Sequence, residues 1–323
     1  MLNKKDLRIV FMGTPNFAKA SLEALVDNGF NVVGVFSQPD KPSGRGMKIQ
    51  PTVVKEYALS KSIDVYQPEK LKAQKEEVLL KLQEYNPDVI VVVAYGKILP
   101  EYILNFPKFG CINVHGSILP KYRGAAPIQW SIINGDKQTG VTTMYMDEGM
   151  DTGNMIETVI CDIDSNDTYG TLHDKLMVIG GELLVHTMDK LCENDGKLDS
   201  IKQSDNFTIA PMLSLENTHI DFNSEAETII NLVRGTNPFP TAWCKKQDET
   251  VLKIYEAHKV EKEEYKSSEL GEVVHLNDKK NLLYVKVKDG IINIDELKAP
   301  GSRQMKSGDF IRGNKIKLGD VLK

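Results

Sequence analysis

An amide and an imidazole stand two residues apart at the end of an apolar stretch of the sequence. Asn113 and His115 lie in the segment 110–115, whose other members are glycine, cysteine, isoleucine and valine. In an extended strand, side chains two residues apart project from the same face, so these two groups would lie together. An amide can donate hydrogen bonds to an oxygen that gains charge, and an imidazole can accept and return a proton. A lone histidine is more commonly structural, but this pairing favours a catalytic site.

A carboxylate follows in a second polar segment. The acidic, glycine-punctuated stretch 146–153 could bring a carboxylate back to the end of the same strand. The alternative interpretations are a surface turn or a weak cation loop, and calcium needs more converging oxygens than this spacing guarantees.

The four cysteines are scattered without CxxC spacing, so the sequence predicts neither a disulfide framework nor a zinc site.

The elements that must position these residues alternate along the first half of the chain. Apolar runs at 7–12, 32–36, 88–93 and 110–114 have the length of strands, and segments with helical spacing lie between them. Strands that are apolar throughout and alternate with helices predict a parallel sheet covered on both faces. Open sheets of this kind bind ligands at the carboxyl ends of their strands, where His115 would lie. The first turn, Gly-Thr-Pro-Asn-Phe at 13–17, lacks the GxGxxG glycines, which disfavours NAD binding.

The second half has a different character. Residues 193–206 are polar and lack periodicity, as is typical of a linker, and short strands separated by charged turns follow from residue 251. Evenly spaced short strands predict a small barrel. We therefore predict an α/β protein with a Rossmann-like, mostly parallel N-terminal domain over 1–189, a linker over 190–208 and a smaller, OB-like β-barrel domain over 209–323.

The composition limits the class of protein. Hydrophobic residues make up 41% and charged residues 26% of the chain, and the apolar run near the N-terminus is too short for a signal peptide. These features predict a cytoplasmic protein with no membrane segment. The net charge is -5, yet residues 300–323 hold six Lys and Arg against two Asp and Glu. This excess is compatible with RNA binding, although a solvated lysine-rich face is its commoner cause.

Longer motifs carry a family resemblance. Asn113, His115 and Asp151 resemble the catalytic triad of the folate-dependent formyltransferases, and the segment Ser-Ile-Leu-Pro-Lys-Tyr-Arg-Gly-Ala-Ala-Pro at 117–127 is similar to their signature. Three further features resemble the members that act on methionyl-tRNA: Gln-Pro-Asp-Lys-Pro-Ser-Gly-Arg-Gly at 38–46, Asn-Pro-Phe-Pro-Thr-Ala-Trp at 237–243, and the C-terminal extension. The resemblance implies transfer of a formyl group from 10-formyltetrahydrofolate to the α-amino group of initiator methionyl-tRNA, without a metal.

The resemblance also implies the roles of individual residues. Asn113 would stabilise the oxyanion, His115 would manage protons, and Asp151 would orient the imidazole and favour its charged form. The implied folate-binding residues are Tyr95, Gly96, Ser117, Ile118, Leu119, Pro120 and Asp147. The implied tRNA-binding residues are Lys41, Arg45, Lys48, Lys315 and Lys317. One departure concerns the segment 210–215, Ala-Pro-Met-Leu-Ser-Leu, because relatives often carry lysines in this linker.

Two other functions stay open at this point. A formyltransferase for an amino sugar or a purine precursor would share the triad but lack the Arg45 loop and the C-terminal extension. A silent folate-binding or RNA-binding module would keep the fold without needing Asn113, His115 and Asp151 together.

Overall fold

The computed structural model describes residues 2–43, 48–261 and 269–323. The described chain divides into two compact units, and each unit is built from three separate segments of the sequence. The first unit comprises the described parts of Met1–Gly124, Thr139–Asp162 and His173–Ala210, and the second comprises those of Ala125–Gln138, Ile163–Leu172 and Pro211–Lys323.

Within the described residues the chain forms 17 strands and eight helices. The strands are β1 (Arg8–Gly13), β2 (Asn31–Phe36), β3 (Lys41–Ser43), β4 (Lys48–Gln50), β5 (Val65–Tyr66), β6 (Val89–Val93), β7 (Cys111–His115), β8 (Arg123–Gly124), β9 (Gln138–Tyr145), β10 (Met155–Asp162), β11 (Ile209–Ala210), β12 (Ala242–Lys245), β13 (Val251–Lys259), β14 (Val273–Asn277), β15 (Leu282–Val287), β16 (Gly290–Lys298) and β17 (Met305–Lys306). The helices are α1 (Asn16–Asp27), α2 (Val53–Ser60), α3 (Lys75–Tyr85), α4 (Glu101–Leu104), α5 (Pro127–Ile133), α6 (Tyr169–Glu193), α7 (Ala226–Thr236) and α8 (Ser307–Arg312).

A seven-stranded sheet forms the centre of the first unit. Its strand order is β10-β9-β7-β6-β1-β2-β5, and the five strands from β7 to β5 are parallel. Every residue of β6 and β7 is buried, which explains why β6 is a continuous apolar run and why β7 is apolar apart from Asn113 and His115. Strand β9 runs antiparallel to β7 and places Thr142 opposite His115. The predicted α/β class with a mostly parallel sheet is confirmed.

Helices cover this sheet closely. On one face, Val78 and Leu82 of α3 and Ile103 of α4 pack into a core with Val10 and Val92 of the strands. On α6, glycines replace larger side chains where the helix approaches α1: a Cβ atom at Gly180 would lie 3.2 Å from Phe17, and one at Gly181 would lie 3.2 Å from Ala24. A helix that carries no side chain at these positions can pack close to its neighbours.

The second unit is built on antiparallel strands in the order β12-β13-β16-β15-β14, with β17 added to β16. Helix α7 packs against β13 through an apolar side that includes Ile229 and Val233. Helix α5, which no periodicity in the sequence predicted, packs against α7. A Cβ atom at Gly235 of α7 would lie 2.6 Å from Ile133 of α5, so the glycine permits this close contact.

The end strands β12 and β14 are joined by residues 320–323, which we name the closing segment. Lys323 exchanges backbone hydrogen bonds of 2.6 and 2.8 Å with Lys245 at the end of β12. On the other side, the Leu322 amide donates to the Gly271 carbonyl at 2.8 Å, and the Val273 amide of β14 donates to Asp320 at 2.8 Å. The closing segment therefore completes a barrel, as predicted, while its OB-like topology stays a prediction.

The polar segment between the two halves is bonded to the first unit. Ile201 exchanges backbone hydrogen bonds of 2.9 and 2.8 Å with Met155 at the start of β10. The division of the chain into domains at 189 and 208 stays a prediction. Among the described residues, no helix has both the length and the apolar character that crossing a membrane requires.

Candidate active site

The amide of Asn113 and the imidazole of His115 lie at the carboxyl end of β7, between β6 and β9. Both residues are buried, with exposures of 9% and 6%. Asn113 pairs with Val92 of β6 on one side and with Met144 of β9 on the other. Within the described part of the chain, the Asn113 side-chain amide has no hydrogen-bond partner, whereas most buried polar groups are bonded. Its N–H groups are therefore free to bind an oxygen of a ligand.

The hydrogen bond of His115 identifies the nitrogen that can exchange a proton. Nε2 lies 2.9 Å from the backbone carbonyl oxygen of Tyr122. Because a carbonyl oxygen only accepts, Nε2 must carry a proton. The other nitrogen, Nδ1, lies 3.7 Å from Oδ2 of Asp151. This distance is too long for a hydrogen bond but allows the carboxylate to stabilise a proton on Nδ1 by charge attraction.

Asp151 is held from both its side chain and its backbone. Oδ2 accepts a hydrogen bond of 2.8 Å from the Gly124 amide. The Gln203 side chain donates from Nε2 to the carbonyl oxygens of Asp151 and Gly153 at 2.8 and 2.7 Å. Asp151 adopts a positive φ of 55°, a conformation that few residues other than glycine adopt. The contacts around it therefore fix the carboxylate in a conformation that the chain does not prefer.

Gln203 is a supporting residue that the sequence reasoning missed. It is 5% exposed, and its Oε1 accepts a hydrogen bond of 2.9 Å from Nε of Arg123. Arg123 is also buried and lies 4.4 Å from the ring of Phe207. It stands between Tyr122, whose carbonyl binds His115, and Gly124, whose amide binds Asp151. Gln203 thus links the backbone of Asp151 to Arg123, whose two sequence neighbours bind His115 and Asp151. Its sequence surroundings are polar and aperiodic, and nothing in them distinguishes it.

Gly124 can occupy this position because it lacks a side chain. Its φ is 120°, and a Cβ atom would lie 2.7 Å from the carbonyl oxygen of Ala210 on the paired strand β11. The amide that binds Asp151 is therefore presented by a backbone that only glycine fits here.

The turn after β7 is stabilised by internal hydrogen bonds. Ser117 is fully buried, and its hydroxyl donates to the Lys121 carbonyl at 2.6 Å. Thr142 of β9 donates to the Ser117 carbonyl at 2.7 Å and accepts from the Leu119 amide at 3.3 Å. These bonds fix the backbone of the turn that contains Ile118 and Pro120. Folate contacts of Ser117, Ile118, Leu119 and Pro120 stay predictions.

The loop after β6 presents backbone rather than the side chain of Tyr95. Tyr95 is 2% exposed, and within the described residues its hydroxyl has no hydrogen-bond partner. Burial raises the pKa of this phenol. Its carbonyl oxygen accepts from Nε2 of Gln38 at 3.0 Å and from the Thr14 hydroxyl at 3.3 Å. Gly96 follows with a positive φ of 75°. Any contact of Tyr95 with folate would therefore come from its backbone.

Asp147 helps to build the loop that contains Asp151. Its side chain is exposed, and Oδ1 accepts hydrogen bonds of 3.0 Å from the Gly149 amide and 2.6 Å from the Thr152 hydroxyl. A contact between Asp147 and folate stays a prediction.

The residues expected to bind tRNA have different surroundings. Lys41 and Lys48 are exposed on the paired strands β3 and β4, whereas Arg45 lies outside the described residues. Lys315 and Lys317 are exposed in the second unit, after α8.

The described residues contain no group of three or more His, Cys, Asp or Glu side chains that could hold a metal ion. The cysteines are free, and burial raises the pKa of Cys111 and of Cys244 to about 12, so both stay protonated thiols at neutral pH.

Family models match both halves of the chain. The formyl transferase model matches residues 7–188, and the model of the formyl transferase C-terminal domain matches residues 212–315. The methionyl-tRNA formyltransferase of Clostridium novyi is 48% identical over 318 residues, which cover 98% of this chain and 100% of the relative. The methionyl-tRNA formyltransferase of Clostridioides difficile is 45% identical over 316 residues, with coverage of 98% and 100%.

A solved structure shares the fold at lower sequence identity. The N-formyltransferase from Helicobacter canadensis, solved in complex with folinic acid and dTDP-3-aminofucose, is 21% identical and has a TM-score of 0.64. The match covers 89% of this chain and 98% of that one. From the two family models and the near full-length relatives, the chain belongs to the formyltransferase family and, within it, to the methionyl-tRNA formyltransferases.

Proposed function

We propose that this protein transfers the formyl group of 10-formyltetrahydrofolate to the α-amino group of initiator methionyl-tRNA, which gives N-formylmethionyl-tRNA for translation initiation. The observation that carries the proposal is the position of the His115 imidazole, 3.7 Å from the Asp151 carboxylate and two residues from the Asn113 amide on one buried strand. The near full-length likeness to methionyl-tRNA formyltransferases supports the choice of the amine.

The reaction requires an oxyanion site and a proton carrier. The amine nitrogen bonds to the formyl carbon, and the carbonyl oxygen gains negative charge while the bond from this carbon to the folate N10 is still intact. The Asn113 amide donates hydrogen bonds to this oxygen. Nδ1 of His115 accepts a proton from the attacking amine and returns one to N10 as the carbon–N10 bond breaks. The Asp151 carboxylate stabilises the imidazole while it holds both protons.

The two substrates are assigned to different surfaces. Folate would bind to the loops after β6 and β7, through backbone groups of the residues predicted above. The tRNA would bind through Lys41, Arg45 and Lys48 and through Lys315 and Lys317, which would contact phosphates. The proposed compartment is the cytoplasm, where initiator tRNA is charged and used.

A direct assay tests the proposed function. The purified protein is mixed with 10-formyltetrahydrofolate and charged methionyl-tRNA, and the tRNA is hydrolysed and analysed for formylmethionine. Reactions with an amino-sugar nucleotide or a purine-precursor amine in place of the tRNA serve as controls. We expect formylmethionine only when protein, folate donor and methionyl-tRNA are all present. Formylation of another amine, without formylation of methionyl-tRNA, would exclude the proposed substrate.

Neutralising the residues proposed to bind phosphate should weaken the use of tRNA. Arg45→Ala and the double replacement of Lys315 and Lys317 by alanine are each expected to raise the KM for methionyl-tRNA, because fewer counterions are released on binding. The dependence of KM on salt should become shallower, and each positive charge that no longer binds a phosphate should reduce the slope by about one. Arg45→Ala should also lower kcat if the loop orients the methionyl amine. Formylation kinetics at two salt concentrations measure both effects.

Two control variants test whether the change in KM comes from these contacts or only from the loss of a positive charge. Lys72→Ala and Lys279→Ala remove exposed positive charges from the first and second units and should leave KM for tRNA close to that of the parent. KM for the folate donor should stay unchanged in all variants. Unchanged tRNA kinetics of Arg45→Ala at both salt concentrations would remove its loop from tRNA recognition.

Gln203→Leu should slow the reaction without preventing substrate binding. The change leaves buried partners of the glutamine unpaired, at a cost of about 1–3 kcal/mol of stability for each unsatisfied group. Because Gln203 holds the backbone of Asp151, its loss should misplace the carboxylate and lower kcat about 10- to 100-fold, with KM for folate retained. Kinetics well below the melting temperature test this. A less stable variant with the parent kcat would make Gln203 a structural residue alone.

A further inference from the structure

The side chain of Gln38 contacts two loops that the proposed function assigns to different substrates. Gln38 follows β2, and its Nε2 donates to the carbonyl oxygens of Tyr95 and Gly96 at 3.0 and 3.3 Å. Its Oε1 accepts a hydrogen bond of 3.1 Å from Nζ of Lys41, the first residue of β3. One amide group therefore bonds both to the proposed folate loop and to the hairpin of β3 and β4, which carries proposed tRNA contacts.

The backbone of Gln38 is fixed as well. Its amide donates to the Thr14 hydroxyl at 3.4 Å, and its carbonyl accepts from Nε2 of Gln67 at 2.7 Å. Gln67 also donates to Asp40 at 2.7 Å, and Lys55 of α2 forms an ion pair of 2.6 Å with the same carboxylate. The start of the hairpin is thereby attached to the parallel sheet and to α2. A shift of the Gln38 side chain would consequently be local and would not require the strands to move.

The contact with the folate loop is close because residue 96 is glycine. A Cβ atom at Gly96 would lie 2.5 Å from Nε2 of Gln38, and the φ of 75° at this position favours glycine. The glutamine amide and the backbone of the loop therefore meet without any side chain between them. A shift of the Gln38 amide is therefore expected to displace the backbone of the loop after β6.

Lys41 is expected to exchange its hydrogen bond with Gln38 for one with a phosphate when a polynucleotide binds. The lysine is exposed, and its bond to Gln38 is made to a neutral amide oxygen. A phosphate oxygen carries a negative charge that attracts the ammonium group, whereas the amide oxygen of Gln38 is neutral and offers only a dipole. Binding of a polynucleotide at the hairpin would therefore free Oε1 of Gln38 and weaken the bonds from its Nε2 to Tyr95 and Gly96, because hydrogen bonds at the two ends of one amide strengthen each other.

The geometry points to Gln38 as a positioning residue that couples the two substrates: tRNA at the hairpin loosens Gln38 from the Tyr95 and Gly96 carbonyls, and these freed acceptors strengthen folate binding at the loop after β6. This inference rests on the proposed function. Coupling between two binding sites is reciprocal, so folate must strengthen tRNA binding by the same factor.

Equilibrium binding tests the coupling without requiring turnover. The dissociation constant of tetrahydrofolate is measured by calorimetry with and without saturating uncharged initiator tRNA, on the whole protein. We expect tRNA to lower this constant roughly fivefold or more in the parent protein. In Gln38→Leu, which loses every side-chain hydrogen bond, the constant should be the same with and without tRNA. Gln38→Glu keeps the oxygen that binds Lys41 but repels the two carbonyls, so the coupling should disappear there too.

The control is Gln74→Leu, which changes a glutamine whose side chain bonds, among the described residues, to its neighbours Lys70 and Glu77 at the start of α3. It should retain the full effect of tRNA. If Gln38→Leu proves unfolded by its melting temperature, Gln38→Glu decides the outcome. A parent protein without the effect, or a folded Gln38 variant that keeps it, overturns the inference. The formylation assay distinguishes this result from failure of the proposed function, because product can form without coupling, whereas a parent that does not bind tRNA overturns both.

Discussion

Asn113→Ala and His115→Ala should each lower kcat by at least about 10²-fold, because each removes a group that acts on the transition state. Loss of one oxyanion donor typically costs about 10²- to 10³-fold, and loss of a general acid–base group about 10²- to 10⁴-fold. The Asn113 amide has no hydrogen-bond partner in the described part of the chain, so it has no internal bond to lose. Its contribution should therefore appear in the rate rather than in stability.

The two variants should differ in their unfolding. Asn113→Ala should unfold close to the parent temperature, whereas His115→Ala leaves the Tyr122 carbonyl without its 2.9 Å partner and should lose about 1–3 kcal/mol of stability. Formylation kinetics at saturating substrates, together with thermal unfolding of each variant, measure both effects. Near-normal turnover of either folded variant would contradict the assigned mechanism.

Asp151→Asn should lower kcat by roughly 10²- to 10³-fold, as expected when acid–base catalysis is impaired. The amide of the new side chain keeps an oxygen that can accept the 2.8 Å bond from Gly124, so the loop should hold its position. The asparagine side chain, however, has no charge with which to stabilise a proton on Nδ1 of His115. The variant therefore removes the electrostatic role of the carboxylate and retains its structural role.

The pH–rate profile distinguishes these two roles. A carboxylate that assists His115 should leave a variant with both a lower rate and a profile of altered shape. Asp199→Asn, which changes an exposed carboxylate of the same unit, should match the parent in both respects. An active Asp151→Asn with the parent profile would make Asp151 only a residue of the turn.

Much of the fold could be predicted because strands that are buried on both faces of the sheet consist mainly of apolar residues. Strands β1, β6 and β7 are almost entirely buried, and each is apolar apart from Arg8 at the start of β1 and Asn113 and His115 in β7. Strand β10 lies at the edge of the sheet and mixes exposed and half-buried residues, so it has no such run and was not predicted. Helix α5 is seven residues long and too short to display a period.

The proposed site could be predicted only where spacing along one element carried the information. Asn113 and His115 are two residues apart on one strand, so alternation alone places them together. Asp151 was identified by resemblance, because a loop residue with a positive φ has no periodicity to reveal it. Gln203 and Gln38 act through partners that are distant in sequence, such as Arg123 and Tyr95. A single polar residue does not disclose such partners in advance.

The closing segment sets an order of events during synthesis of the second unit. Residues 320–323 follow every strand of the barrel in the sequence, yet they hydrogen-bond to Lys245 and Gly271, far earlier in the chain. On the ribosome, β14 can pair with β15 while its edge facing the closing segment stays open, whereas residues 218–220 already bond to the outer edge of β12 at Trp243. Unpaired strand edges are templates for association with other chains. The nascent barrel is therefore most exposed to aggregation in the interval between emergence of β16 and emergence of its last residues, when chaperone protection would matter most.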